Sequence, residues 1–366
     1  MKYIRNVTLK AFAILVVLDL LFAAVPLDAL GRVSAYNHIF PGRWRLPWSE
    51  APAKAYSLSL NNLEAMFASH EVSAPPAPDE FRVFILGDSS VWGFLLPKED
   101  TLAARINAAN WTTPDGRRVR AYNLGYPTIS LTKDLLLLDE ALRFAPDLVV
   151  WFVTLDSFPA DKQLFTPLVQ RNPEPVRRLI ETHALNLDPS DPAFVAPSLW
   201  QTTLVGQRRA VADLFRLQLY GVLWSATGVD QDIPATYTPL TVDYEADTSY
   251  YGYTPETFTV QTLAFDVLAA GVEQAGDAPV LIVNEPIFIS DGQNSELRYN
   301  LLYPRWAYDA YRRMLTDTAA EEGWSLLDLW DAVPPEKFTN TAIHYNVTGV
   351  MDVVNLIEPV VIEISR

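Results

Sequence analysis

The chain has 366 residues, 49% hydrophobic and 12% aromatic, enough to bury a large core in one elaborated domain. Its formal charge of −16 argues against a nucleic-acid partner or an anionic lipid surface, because phosphate binding needs clustered Lys and Arg. Cysteine is absent, which removes disulfides, thiolate metal sites and a lipoprotein attachment point together.

Lys2, Arg5 and Lys10 precede an apolar run over residues 11–25, flanked by Leu9, Leu27 and Leu30. That approaches the ~20 residues a bilayer-spanning helix needs. The expectation is an N-terminal transmembrane helix in residues 1–30, with the basic end inside and the remaining chain outside. A cleaved signal peptide, cut near Ala29-Leu30-Gly31, is the alternative. Asp19 stands within the run, where an ionisable group costs about 2.5–3.5 kcal/mol on insertion scales.

Residues 31–80 read as a juxtamembrane segment and linker. They hold an aromatic and basic stretch over 36–48, a short helix over 57–69, and the proline-rich run 74–78. Apolar, turn-bounded runs predict strands at 82–86, 119–124, 148–154, 280–284 and 325–329. Helical patterns fall at 101–109, 131–144, 261–274, 304–322 and 348–364. Near-continuous apolar strands alternating with helices imply a parallel sheet covered on both faces. Residues 160–258 interrupt the alternation with proline-rich stretches, a long helical pattern over 200–224 and a tyrosine-rich segment. A subdomain packed on the sheet is the expectation there, with a membrane-inserting lid as the alternative.

Gly87-Asp88-Ser89-Ser90 ends the first strand, and His344 lies just before the last helix. The sequence over 81–366 resembles the SGNH (GDSL) hydrolases in motif order. The Gly-Asp-Ser block matches Gly87, Asp88 and Ser89, and the second-block glycine matches Gly125. The third block, usually Gly-x-Asn-Asp, aligns on Val153-Thr154-Leu155-Asp156. The last, usually Asp-x-x-His, reads Thr341-Ala342-Ile343-His344. The resemblance implies a flavodoxin-like three-layer α/β/α fold with a five-stranded parallel sheet and a helical insertion. It also implies Ser89 as nucleophile and His344 as base. The backbone N–H groups of Ser89 and Gly125 are the implied oxyanion donors, and Asp88 supports the nucleophile turn.

Ser89, Gly125, Asp156, Glu285 and His344 all follow strand ends, where open α/β sheets bind their ligands. Asp156 and Ser157 are expected to line the site. Leu155 replaces the usual oxyanion asparagine, leaving Asn123, Ser157 or Asn284 to compensate. Thr341 replaces the triad acid, with Asn340, Asp331, Glu336 and Glu285 as substitutes. No two histidines share a helix face and no glycine-rich phosphate loop follows a strand, so neither metal nor cofactor is expected. The arrangement is similar to that of D-alanyl transfer and alginate O-acetylation proteins. It implies an extracytoplasmic, membrane-anchored, single-pass esterase or O-acyltransferase acting on acyl groups of a cell-surface glycan or lipid. The implied partner is a membrane-bound O-acyltransferase. A noncatalytic scaffold of the same fold is the alternative.

Overall fold

The computed structural model describes residues 1–24, 63–68, 70–194, 198–227, 233 and 235–366. Five strands, β1 Glu80–Leu86, β2 Arg118–Asn123, β3 Leu148–Val153, β4 Val280–Asn284 and β5 Ser325–Asp328, form one parallel sheet ordered β2-β1-β3-β4-β5. In chain order the helices are α1 Lys2–Phe22, α2 Leu63–Ala68, α3 Ser89–Trp92, α4 Leu102–Ala109, α5 Leu131–Ala141, α6 Pro167–Arg171, α7 Pro173–His183, α8 Leu199–Thr202, α9 Arg208–Thr227, α10 Phe265–Gln274, α11 Arg305–Glu322 and α12 Val347–Ile364.

Successive strand side chains point to opposite faces, so a strand covered on both sides must be apolar throughout. Strand β3 meets that condition. Val149, Trp151 and Val153 join one core while Leu148, Val150 and Phe152 join the other. Strand β1 divides likewise, with Phe84 and Leu86 on the first face and Phe81, Val83 and Ile85 on the second. Helices α5, α10 and α11 cover the first face through residues such as Leu135, Leu268 and Tyr311. Helices α4 and α12 cover the second through Ile106, Val353 and Ile357. The result is the expected α/β/α layering.

The described α2 belongs to the domain rather than to a segment before it. Leu63, Met66 and Phe67 lie in the first core, His70 Nε2 bonds Asn123 O at 3.0 Å, and Arg82 Nη2 donates to Val72 O at 2.9 Å. Its neighbours 36–62, including the juxtamembrane stretch, lie outside the described residues. Within the insertion, Leu168, Val169, Val176 and Leu179 also join the first core. The helix expected over 200–224 is two helices, α8 and α9. Gly206 lies between them, and a Cβ there would stand 2.1 Å from Trp200 O.

The N-terminal expectation needs correction. Among the described residues no helix is long and apolar enough to cross a membrane. Helix α1 has 21 residues, but Lys2, Arg5 and Lys10 occupy its first half. Its apolar remainder, 11–22, rises roughly 18 Å against a hydrocarbon core of roughly 30 Å. Asp19 interrupts even that stretch, and it is buried, accepting the Val205 backbone N–H at 2.8 Å.

Gly271 in α10 shows how closely this face is packed. A Cβ there would fall 2.2 Å from Trp151 Cζ3, and Trp151 is fully buried. Helix propensity alone would favour Gly271→Ala by about 1 kcal/mol. Overpacking against the indole opposes it at about 1–3 kcal/mol. We expect the substitution to be neutral to destabilising, never the stabilisation that propensity predicts, as read from the urea-unfolding midpoint.

Candidate active site

Strand β1 delivers Gly87 and Asp88 to the carboxyl edge of the sheet, beside the crossover between β1 and β3 where parallel sheets open a crevice. A side chain at Gly87 would collide with Val91 Cγ2 at 2.6 Å, so the turn into α3 needs glycine. Asp88 caps α3 by accepting the Ser90 N–H at 2.8 Å. The Gly87 carbonyl accepts both the Tyr126 N–H at 2.9 Å and Lys133 Nζ at 2.8 Å. Ser89 therefore sits on a turn held from three sides.

His344 arrives 255 residues later and closes the pair, with Ser89 Oγ and His344 Nε2 2.6 Å apart. Both residues are buried, Ser89 at 4% and His344 at 6% exposure, and Phe94 lies against the imidazole with ring centres 4.7 Å apart. For Nε2 to accept the serine proton, the ring must carry its own proton on Nδ1. That atom is buried and has no hydrogen-bond partner among the described residues. Thr341 bonds elsewhere, its Oγ1 accepting the His344 backbone N–H at 3.1 Å. Asn340 Oδ1 accepts from Thr339 Oγ1 at 3.3 Å, and Asp331 and Glu336 are exposed. Burial lowers the imidazole pKa from 6.5 to about 3, with no carboxylate opposing it.

Glu285, at the end of β4, takes a different place from the substitute acid expected of it. Its Oε2 accepts Ser90 Oγ at 2.5 Å, which puts it under the nucleophile turn and not on the imidazole. Burial, reinforced by Asp88, pushes the Glu285 carboxyl well above its usual range. Asp134 pairs with Lys133 at 2.5 Å, yet burial still raises its pKa to about 6. Burial raises Asp88 as well. Three buried carboxyls thus surround one ammonium, and the environment resists ionising them all.

The second oxyanion donor is not free as expected. Gly125 does lie against the nucleophile helix, since a Cβ would stand 2.5 Å from Trp92 N. Its N–H, however, donates to Asn123 Oδ1 at 3.0 Å. The Ser89 N–H, at the open first turn of α3, meets no acceptor among the described residues. Asn284 is committed to Asp328 and Tyr311, and Leu155 is buried in the core. Asp156 accepts from Lys162 Nζ at 3.0 Å and from Tyr251 OH at 2.9 Å, so the insertion reaches the loop after β3. Ser157 closes that loop's turn, where its Oγ accepts the Thr154 N–H at 3.4 Å.

Sequence reasoning missed Ser90, Phe94 and Lys133. The lysine left a trace, a charged pair opening the otherwise apolar stretch Leu131 to Leu138. Among the described residues no group of His, Cys, Asp and Glu is arranged to hold a metal ion.

No protein-family profile and no curated protein matches the chain. Solved structures do. A member of the lipolytic protein G-D-S-L family from Veillonella parvula is 12% identical, with 76% of this chain and 97% of that chain covered and a TM-score of 0.36. A putative lipolytic protein of the G-D-S-L family from Desulfitobacterium hafniense is 14% identical, covering 76% and 99%, with a TM-score of 0.37. The lipase/acylhydrolase from Enterococcus faecalis is 14% identical, covering 77% and 95%, with a TM-score of 0.38. At these values the functional reading rests on the site itself.

Two outcomes are expected from the electrostatics. Native Glu285 keeps its proton at pH values where the unfolded chain has lost it, so the native state binds more protons and stability falls as pH rises through that window. Glu285→Gln, which keeps an acceptor for Ser90, should gain stability over the parent progressively as pH rises above the ordinary carboxyl value of 4.5 in urea titrations. The depressed imidazole pKa keeps His344 neutral in acid. The acid limb of kcat/KM for a soluble ester should then lie below about pH 5 rather than near 6.5.

Proposed function

We propose that the chain is an SGNH-type serine esterase or O-acyltransferase, acting outside the cytoplasm on O-acyl groups of a cell-surface glycan or lipid. The observation that carries this is the 2.6 Å contact between Ser89 Oγ and His344 Nε2, made across 255 residues at the carboxyl edge of a parallel sheet. A buried serine and a neutral histidine at that distance suit nucleophilic acyl transfer. Ser89 Oγ attacks the acyl carbonyl while its proton passes to His344 Nε2. The same proton then goes to the departing alkoxide, leaving the acyl group on Ser89. Water releases it as the acid, or an acceptor hydroxyl takes it as a new ester. The Ser89 N–H faces the developing oxyanion, and the Gly125 N–H joins it when Asn123 yields.

Location outside the cytoplasm is supported by the order of Lys2, Arg5 and Lys10 ahead of an apolar stretch, the pattern of an export signal. A membrane-bound O-acyltransferase is the proposed partner, supplying or receiving the acyl group. The unpartnered Nδ1 of His344 favours a second reading, a scaffold of this fold without catalysis.

A fluorophosphonate probe separates the two. We expect labelling of the parent protein, its loss in Ser89→Ala, and loss of ester hydrolysis in His344→Ala. A parent that takes no label makes the scaffold the better account. Supplying the absent charge should help, because a neutral group in place of the triad acid costs about 10⁴ in rate. Thr341→Asp is expected to raise kcat on a simple ester by about tenfold or more, with His344→Ala silencing both backgrounds.

A further inference from the structure

We infer that α1 and α9 together form a phospholipid-binding face, the apolar part of α1 dipping into one leaflet without crossing the bilayer and Asp19 tying α1 to the turn just ahead of α9. This inference is independent of the catalytic reading. On α1, Phe12, Ile14, Leu15, Val16, Val17 and Leu18 are each between 40% and 64% exposed. At roughly 100° per residue these six point in every direction around the helix axis. A protein groove accepts one apolar stripe, whereas lipid accepts an apolar surface on all sides, so the distribution selects lipid as the occupant.

Helix α9 adds one stripe of its own. Phe215, Leu219 and Leu223 recur every fourth residue and are 70%, 64% and 54% exposed. Trp200, 61% exposed on α8, suits the interface between headgroups and acyl chains. Asp19 would be costly in lipid, but it accepts the Val205 N–H at 2.8 Å just ahead of α9, so its charge is met by the protein. Charge follows the same division. The sequences of α1 and α9 carry six basic residues, Lys2, Arg5, Lys10, Arg208, Arg209 and Arg216, against Asp19 and Asp213, on a chain of net charge −16. The expectation from overall charge, that anionic lipid is disfavoured, is thus reversed locally on these two helices.

Vesicle flotation of the full chain tests the inference. We expect the parent to float with phosphatidylcholine vesicles containing phosphatidylglycerol, and less with phosphatidylcholine alone. Phe215→Asp combined with Leu219→Asp should weaken partition by about tenfold or more. Circular dichroism and fluorophosphonate labelling of the same preparations report folding and the catalytic site separately. Phe215→Ser serves if the double variant does not fold. A variant that floats like the parent removes α9 from the face and overturns the inference. So does a parent that stays unbound, whether monomeric or dimeric by light scattering; a dimer would show that a second copy covers the helices. Loss of labelling with flotation intact would instead sink the catalytic reading and leave this one standing.

Discussion

Burial of the central strands on both faces is the constraint from which the rest follows. Strands β1, β3 and β4 offer no polar side chain a place along most of their length, so polar groups collect where the strands end. Asp88, Ser89, Asp156 and Glu285 all lie at such ends, and the loop before α12 brings His344 to the same edge. The apolar interior thus specifies the position of the chemistry by excluding it from everywhere else. The floor of the site is then a low-dielectric region in which every charge must be met by a neighbour. Lys133 meets that demand, reaching from α5 to the Gly87 carbonyl and to Asp134.

The chemistry that results is lopsided. Carboxyl groups are concentrated beneath the turn that carries Ser89, where Ser90 and Glu285 bond, while the far side of the imidazole has none. In a conventional triad the carboxylate holds the ring's tautomer and stabilises its positive charge during the reaction. Here packing orients the ring, through Phe94 on one face and the bond from the His344 backbone to Thr341. Orientation and charge stabilisation have been separated, and the structure keeps the first.

The sheet was legible in the sequence because apolar strands and helices of different period alternate, and five strand segments fall where those periods place them. Ser89 and His344 were legible because their motifs sit at strand and loop ends. The contacts of Glu285 were not, since a buried carboxyl after a strand reads equally as a partner for histidine or for serine, and three-dimensional placement decides. Gly125 shows a similar limit. Its closeness to α3 follows from its lack of a side chain, but the capture of its N–H by Asn123 depends on one rotamer two residues away. Helix α1 misled for a different reason. Hydropathy averages over a window, whereas spanning depends on the uninterrupted length between Lys10 and Asp19.

The distance along the chain between Ser89 and His344 has a consequence for how the protein is made. Synthesis runs from the N-terminus, so the serine turn leaves the ribosome long before β4, β5 and the histidine loop exist. Closing a loop of that length also carries an entropic cost that native contacts must recover. Until the last segment docks, Ser89 has no imidazole beside it, and a nascent or C-terminally clipped chain carries a serine with nothing to take its proton. The Ser89–His344 contact is therefore a sign of completed folding, and under the proposed function reactivity toward a serine-directed reagent would count intact molecules in a mixed population.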